Sequence, residues 1–220
     1  MPLVATAPPP DTARDVALVQ VAHADLLRHP DESGDALDVA APSCLSGWTK
    51  GHVLAHIANS GWGHVGMFDG AAAGEVRAQY PGGREQRDAD IEAGAGRPAG
   101  VQLDALREAC AAVEVRYTES DWEGAGRGPF GEIALVDLPF LRMREVAIHR
   151  VDLDIGYEFA DLPSVYVRLE LRRMEMLWKA RQPMGMTSRP EPALRLTPPD
   201  RVAWLMGRLE VAGLKPANVW

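Results

Sequence analysis

Apolar residues recur at α-helical spacing in four stretches of the chain, and no other feature limits its fold as tightly. In the first stretch Thr12 is placed to cap a helix with Asp15 in its opening turn, and Val16, Val19, Leu26 and Leu27 form a stripe that ends at Pro30. The second opens at Thr49 and carries Val53, Leu54, Ile57, Val65 and Phe68. The third covers 101–119 through Val101, Leu103, Leu106, Cys110 and Val113, and the fourth starts with Pro139 in its first turn and runs to about Asp154. Between them, 80–100 has charges and glycines without sustained period, which reads as a long functional loop holding one short helix, and 124–131 reads as a glycine-rich loop. Beyond Pro163 the pattern predicts a helix over Ser164–Arg181, a proline-rich stretch, a short strand at Ala193–Leu196 and a last helix at Asp200–Leu209. The expected fold is mainly α: a four-helix bundle over residues 1–160 and a small α/β C-terminal domain over 161–220.

Composition narrows the function. A hydrophobic content of 46% suffices for a buried core. A formal charge of -8 argues against a nucleic-acid surface, which needs clustered positive charge. No apolar run is long enough to span a membrane, and the start, MPLVATAPPPDTARD, lacks the charged and apolar regions of a signal peptide. Two cysteines, Cys44 and Cys110, do not make a disulfide framework. A cytoplasmic protein is expected, as a monomer or small homo-oligomer. A small anionic ligand entering so acidic a chain must be met by guanidinium groups, and Arg84, Arg87 and Arg208 are the candidates.

The stretch REVAIHRVDLD, 144–154, holds the most pointed chemistry. Glu145 and His149 are four apart, so on a helix they lie about 40° apart and reach one point. They share their stripe with Leu141, Ile148 and Asp152, and a carboxylate among apolar neighbours needs a partner. Either the pair is a Glu–His hydrogen bond on a partly exposed helix, or it grips a metal ion. A metal needs a third ligand, and the second helix offers His52, His56 and His64. His56 borders the apolar side through Val53 and is the choice, while His52 and His56 as half of another site stays open. Asp152 is placed to orient a ligand imidazole or to form a helix salt bridge. Cys110 reads as a small core residue and Cys44 as a loop residue without a basic partner; Trp48, Trp62 and Trp204 read as packing residues.

GWTKGHVLAHIANS followed by REVAIHRVDLDIGY resembles the mycothiol-dependent maleylpyruvate isomerase family, within the DinB-like metalloenzyme superfamily. YPGGREQRDADIEAGAGR is similar to its central segment, and AWLMGRL to the last helix of its C-terminal domain. The resemblance implies a DinB-like bundle whose divalent metal, usually zinc, is held by His56, Glu145 and His149, with an open fourth position for the thiol of mycothiol. It implies reversible addition of the metal-bound thiolate to the cis double bond of maleylpyruvate, giving fumarylpyruvate, with Arg208 at the active site; Arg84 and Arg87 stand as anion-binding candidates on the charge argument alone. A mycothiol S-transferase acting on another electrophile, or a non-catalytic binding protein on the same scaffold, is the alternative.

Overall fold

The computed structural model describes residues 8–32, 37–182, 188–217 and 219. They divide into two compact units, one ending at Ile155 and the other beginning at Gly156. In the first lie α1 (Pro10–Glu32), α2 (Lys50–Ala72), α3 (Gly83–Ala95), α4 (Ala99–Glu119), strands β1 (Ala125–Gly128) and β2 (Gly131–Ala134), and α5 (Leu138–Asp152). In the second lie α6 (Ser164–Arg181), α7 (Glu191–Arg195) and α8 (Pro198–Leu205). A helical bundle and a mainly α chain are what the periodicity predicts.

The long helices α1, α2, α4 and α5 form the bundle, with α2 along α4 and α1 along α5. Their facing stripes bury Leu26, Val53, Leu54, Ile57, Leu106, Ala109 and Val146 in one core. Each large aliphatic side chain taken out of water there contributes about 1.5–3 kcal/mol. Thr49 caps α2 as its sequence predicts, but the residue that completes the capping box is a histidine: His52 Nδ1 accepts the Thr49 amide at 3.1 Å. Thr12 is not a cap. α1 starts at Pro10, a residue suited to a first turn, and the Thr12 hydroxyl lies inside the helix and donates to the Val136 carbonyl at 3.0 Å.

The glycine-rich segment is a hairpin rather than a loop. β1 and β2 pair antiparallel with Gly128 opposite Gly131, so Pro129 and Phe130 form the turn. Gly126 faces α2 so closely that a Cβ would stand 2.4 Å from Met67 Cγ. The outer side of β1 exchanges hydrogen bonds with the chain before α3, Arg127 N to Arg77 O at 2.8 Å and Gln79 N to Arg127 O at 2.9 Å. This fixes Gln79 and Tyr80 beside α2. The region 80–100 is mainly α3, whose end meets α2 at Gly51; a Cβ there would stand 2.2 Å from the Ala95 carbonyl oxygen.

The strand expected at Ala193–Leu196 is instead α7 with its C-cap, and among the described residues both strands belong to the first unit. Pro192, near the start of α7, cannot donate to a ladder but suits a first helical turn. Arg201 then donates to the carbonyls of Ala193, Leu194 and Leu196, which closes the helix end. Trp204 anchors this unit, buried, 5.3 Å from the ring of Trp178 and donating to the Lys215 carbonyl at 3.2 Å.

Candidate metal centre and active site

Two helices supply the site. On α5, Glu145 and His149 face inward one turn apart, and α2 brings His56 against them. His56 Nε2 lies 2.9 Å from Glu145 Oε2 and 3.1 Å from His149 Nε2, and His149 Nε2 lies 3.5 Å from Glu145 Oε2. Tetrahedral ligands about 2.0–2.1 Å from a zinc ion stand about 3.3 Å from one another, so these separations match a common ion. Among the described residues this is the cluster of histidine, cysteine and carboxylate groups that could hold a metal. The fit extends one layer out: His149 Nδ1 meets Asp152 Oδ2 at 2.9 Å, and Asp152 is fully buried. A carboxylate behind a ligand imidazole fixes its ring and its tautomer.

Electrostatics agree with that donor set. Burial pushes the Glu145 carboxyl up, but hydrogen bonds with His149 and His56 outweigh it and hold the group well below the usual carboxylate range. Burial favours the neutral form of His149, yet Asp152 and Glu145 together raise it above its ordinary value. Burial, with the nearby His149, lowers His56, so its imidazole is neutral at physiological pH.

The neighbours of His56 come from three elements. Trp48, just before α2, meets its ring edge-on at 5.7 Å. Arg87 of α3 points Nη2 at His56 Nδ1, 3.4 Å away, with its guanidinium 6.0 Å from the Trp48 ring and 5.9 Å from the Tyr80 ring. Burial raises the Tyr80 phenol above its ordinary value, and Arg87 and Ser60, the latter one turn beyond His56 on α2, pull it the other way. Tyr80 carries no motif that singles it out and is brought here by the hairpin's hold on Gln79, whereas Ser60 is carried by α2 itself.

Residues 19–154 match the family described as the mycothiol maleylpyruvate isomerase N-terminal domain. The chain belongs to that family. The matched span holds all three clustered side chains and the bundle from Val19 of α1 onward. None of the curated proteins matches the chain. Two solved structures share the fold of this family member. One is a mycothiol-dependent maleylpyruvate isomerase, 20% identical, with a TM-score of 0.77 over 90% of this chain and 89% of that one. The other is a histidine-to-alanine mutant of an enzyme of that name, 23% identical, with a TM-score of 0.71 over 77% of this chain and 72% of that one.

The remaining candidates fall elsewhere. His52 is committed to the α2 cap through Nδ1 and to Glu92 through Nε2, at 3.2 Å, so it does not join His56 in a second site. Arg84 is 91% exposed beside Asp88 and is not brought to the cluster. Arg208 lies in the second unit, where it donates to the Met206 carbonyl at 3.1 Å. Cys110 is buried in the core, as expected, while Cys44 is exposed and its amide donates to the Asp152 carbonyl at 2.8 Å. Missed altogether is Arg142, fully buried one turn before Glu145, which donates to the Ile57 carbonyl at 2.7 Å and to His23 Nε2 at 3.1 Å. Its signal was its position: 142, 145, 149 and 152 are polar at helical spacing.

Proposed function

We propose that the chain is a mycothiol-dependent, divalent-metal cis-trans isomerase that converts maleylpyruvate to fumarylpyruvate. The observation that carries this reading is the convergence of His56, Glu145 and His149 on one point in a member of this family. The names of the two similar structures support the same substrate.

His56 and His149 would each offer Nε2 and Glu145 an Oε atom to zinc or another divalent ion. When bound, the ion and mycothiol supply a thiolate at neutral pH, whose reversible addition across the cis double bond frees rotation to the trans isomer. The protein's own contribution is placement. Asp152 keeps the proton of His149 on Nδ1 and its Nε2 lone pair toward the cluster. His56 and His149 are buried and Glu145 is 23% exposed, so solvent reaches the cluster at its carboxylate. Arg87, 26% exposed, presents a fixed cation to an anionic substrate. Arg208 is proposed as a catalytic residue on the likeness at AWLMGRL.

The test supplies purified protein with zinc, mycothiol and maleylpyruvate and follows product mass and geometry. Trans product of unchanged mass is expected, lost on chelation and restored by zinc. Activity that survives chelation overturns the metal's part, and a retained sulfur adduct makes the chain a transferase.

A further inference from the structure

The two histidines of the cluster are not treated alike. His149 turns its second ring nitrogen to a carboxylate, 2.9 Å away. His56 turns its second nitrogen to a guanidinium, 3.4 Å away. A guanidinium only donates, so His56 Nδ1 accepts there and the proton of the neutral ring sits on Nε2, the nitrogen that faces Glu145 and His149. That tautomer leaves no lone pair for a metal. Binding one through Nε2 requires the proton on Nδ1, where it meets the N–H of Arg87 head-on. Ligand imidazoles nearly always hand that second proton to an acceptor, and the side chain placed at His56 Nδ1 has none.

We propose that in the metal-loaded site a carboxylate of the anionic ligand lies between His56 Nδ1–H and the Arg87 guanidinium, so that the ligand supplies the acceptor the protein lacks. This rests on the metal site of the proposed function and deepens it by assigning the anion's place and a coupling between metal and substrate. Three features of Arg87 suit the role. Its Nη1 is anchored by Asp88 Oδ1 at 2.6 Å, so the fork has a fixed pivot. Trp48 and Tyr80 hold its plane in place. Its side chain is 26% exposed, so a ligand reaches it from solvent. Both partners are donors and one is cationic, and a carboxylate accepts from each at once. Metal and anion then strengthen each other's binding by one common factor, since linkage is reciprocal.

The probe is maleate, a small dicarboxylate, with the full-length chain. Zinc affinity is measured by competition with a chromophoric chelator at fixed free zinc, with and without maleate, for the wild type and for Arg87→Met. Maleate should tighten zinc binding by roughly 10-fold or more in the wild type, the scale of a charge-assisted hydrogen bond, and zinc should tighten maleate binding equally. In Arg87→Met zinc should still bind, showing an intact cluster, while the coupling falls below about twofold. Undiminished coupling in that variant would put the anion on the ion itself and overturn the proposal. So would a wild type whose zinc affinity ignores maleate; if that protein still isomerises maleylpyruvate, only this inference falls. A wild type that binds no zinc overturns both.

Discussion

At the residue scale the bundle core is unusually rich in buried imidazole. His23 and His64 are 1% and 2% exposed. Burial lowers His23 to about 4, although Glu114, 2.8 Å from its Nδ1, pulls upward, and burial lowers His64 to about 3. Both are neutral in the folded chain at neutral pH. The unfolded chain takes up these protons near the ordinary histidine value of 6.5, before the folded chain does. Stability is therefore full above that value and falls as the pH drops from about 6.5 to about 4. For His23 alone the loss amounts to about 3 kcal/mol at the lower end. Urea unfolding as a function of pH checks this: the midpoint should fall through the window in the wild type and fall less steeply in His23→Asn. A flat profile over the same window would show that these imidazoles are not kept neutral by the fold.

At the element scale, helix positions were legible because apolar period survives in sequence, and the start of α2 at Thr49 was legible with them, whereas Thr12 shows that a threonine ahead of an apolar stripe need not be a cap. The hairpin was not legible. Its strands carry three glycines and little side-chain pattern, and what makes them strands is the nearness of Met67 and the chain at 77–79, a tertiary fact. Glu145 and His149 were legible as a pair for the same reason as the helices, and His56 by its place beside Val53. What could not be read was which nitrogen of each histidine meets which group, since that depends on where α3 lays Arg87 and where α5 turns Asp152. Because α3 is held against α2 at Gly51, that glycine governs the placement of Arg87. Gly51→Ala should destabilise the chain by about 1–3 kcal/mol, since its Cβ would meet backbone. Gly66→Ala, on the same helix with nothing within 4 Å of its Cβ, should instead gain about 0.5–1 kcal/mol. Urea midpoints for the two variants decide it; equal shifts would mean the α2–α3 contact carries no weight.

For the whole molecule, the cluster of His56, Glu145 and His149 links the second and fourth long helices of the bundle, so an ion bound there would stabilise only the folded state. At a free zinc concentration about 100-fold above its dissociation constant the gain is about 2.7 kcal/mol, which raises the melting temperature of a chain this size by about 5–10 °C. His149→Ala should melt at one temperature with or without zinc. If the variant and the wild type gain equally, the ion binds somewhere other than the cluster. No helix among the described residues is long and apolar enough to cross a membrane. The bundle as a whole was legible in the chain's periodicity. The second unit was less so, because a five-residue helix of mixed polarity has too few turns to display a period. Its C-terminal end is closed by Arg201 from α8, a partner that no local pattern announces.

The loop before α2 offers a practical handle. Cys44 exposes its sulfur while its amide grips the last turn of α5 at Asp152, the residue behind His149, and the other cysteine is sealed in the core. Maleimide chemistry would therefore mark a single position, and a fluorophore attached there would sit at the end of the same short lever that holds the His149 ring, so that zinc bound at the proposed site would be read as a change in emission.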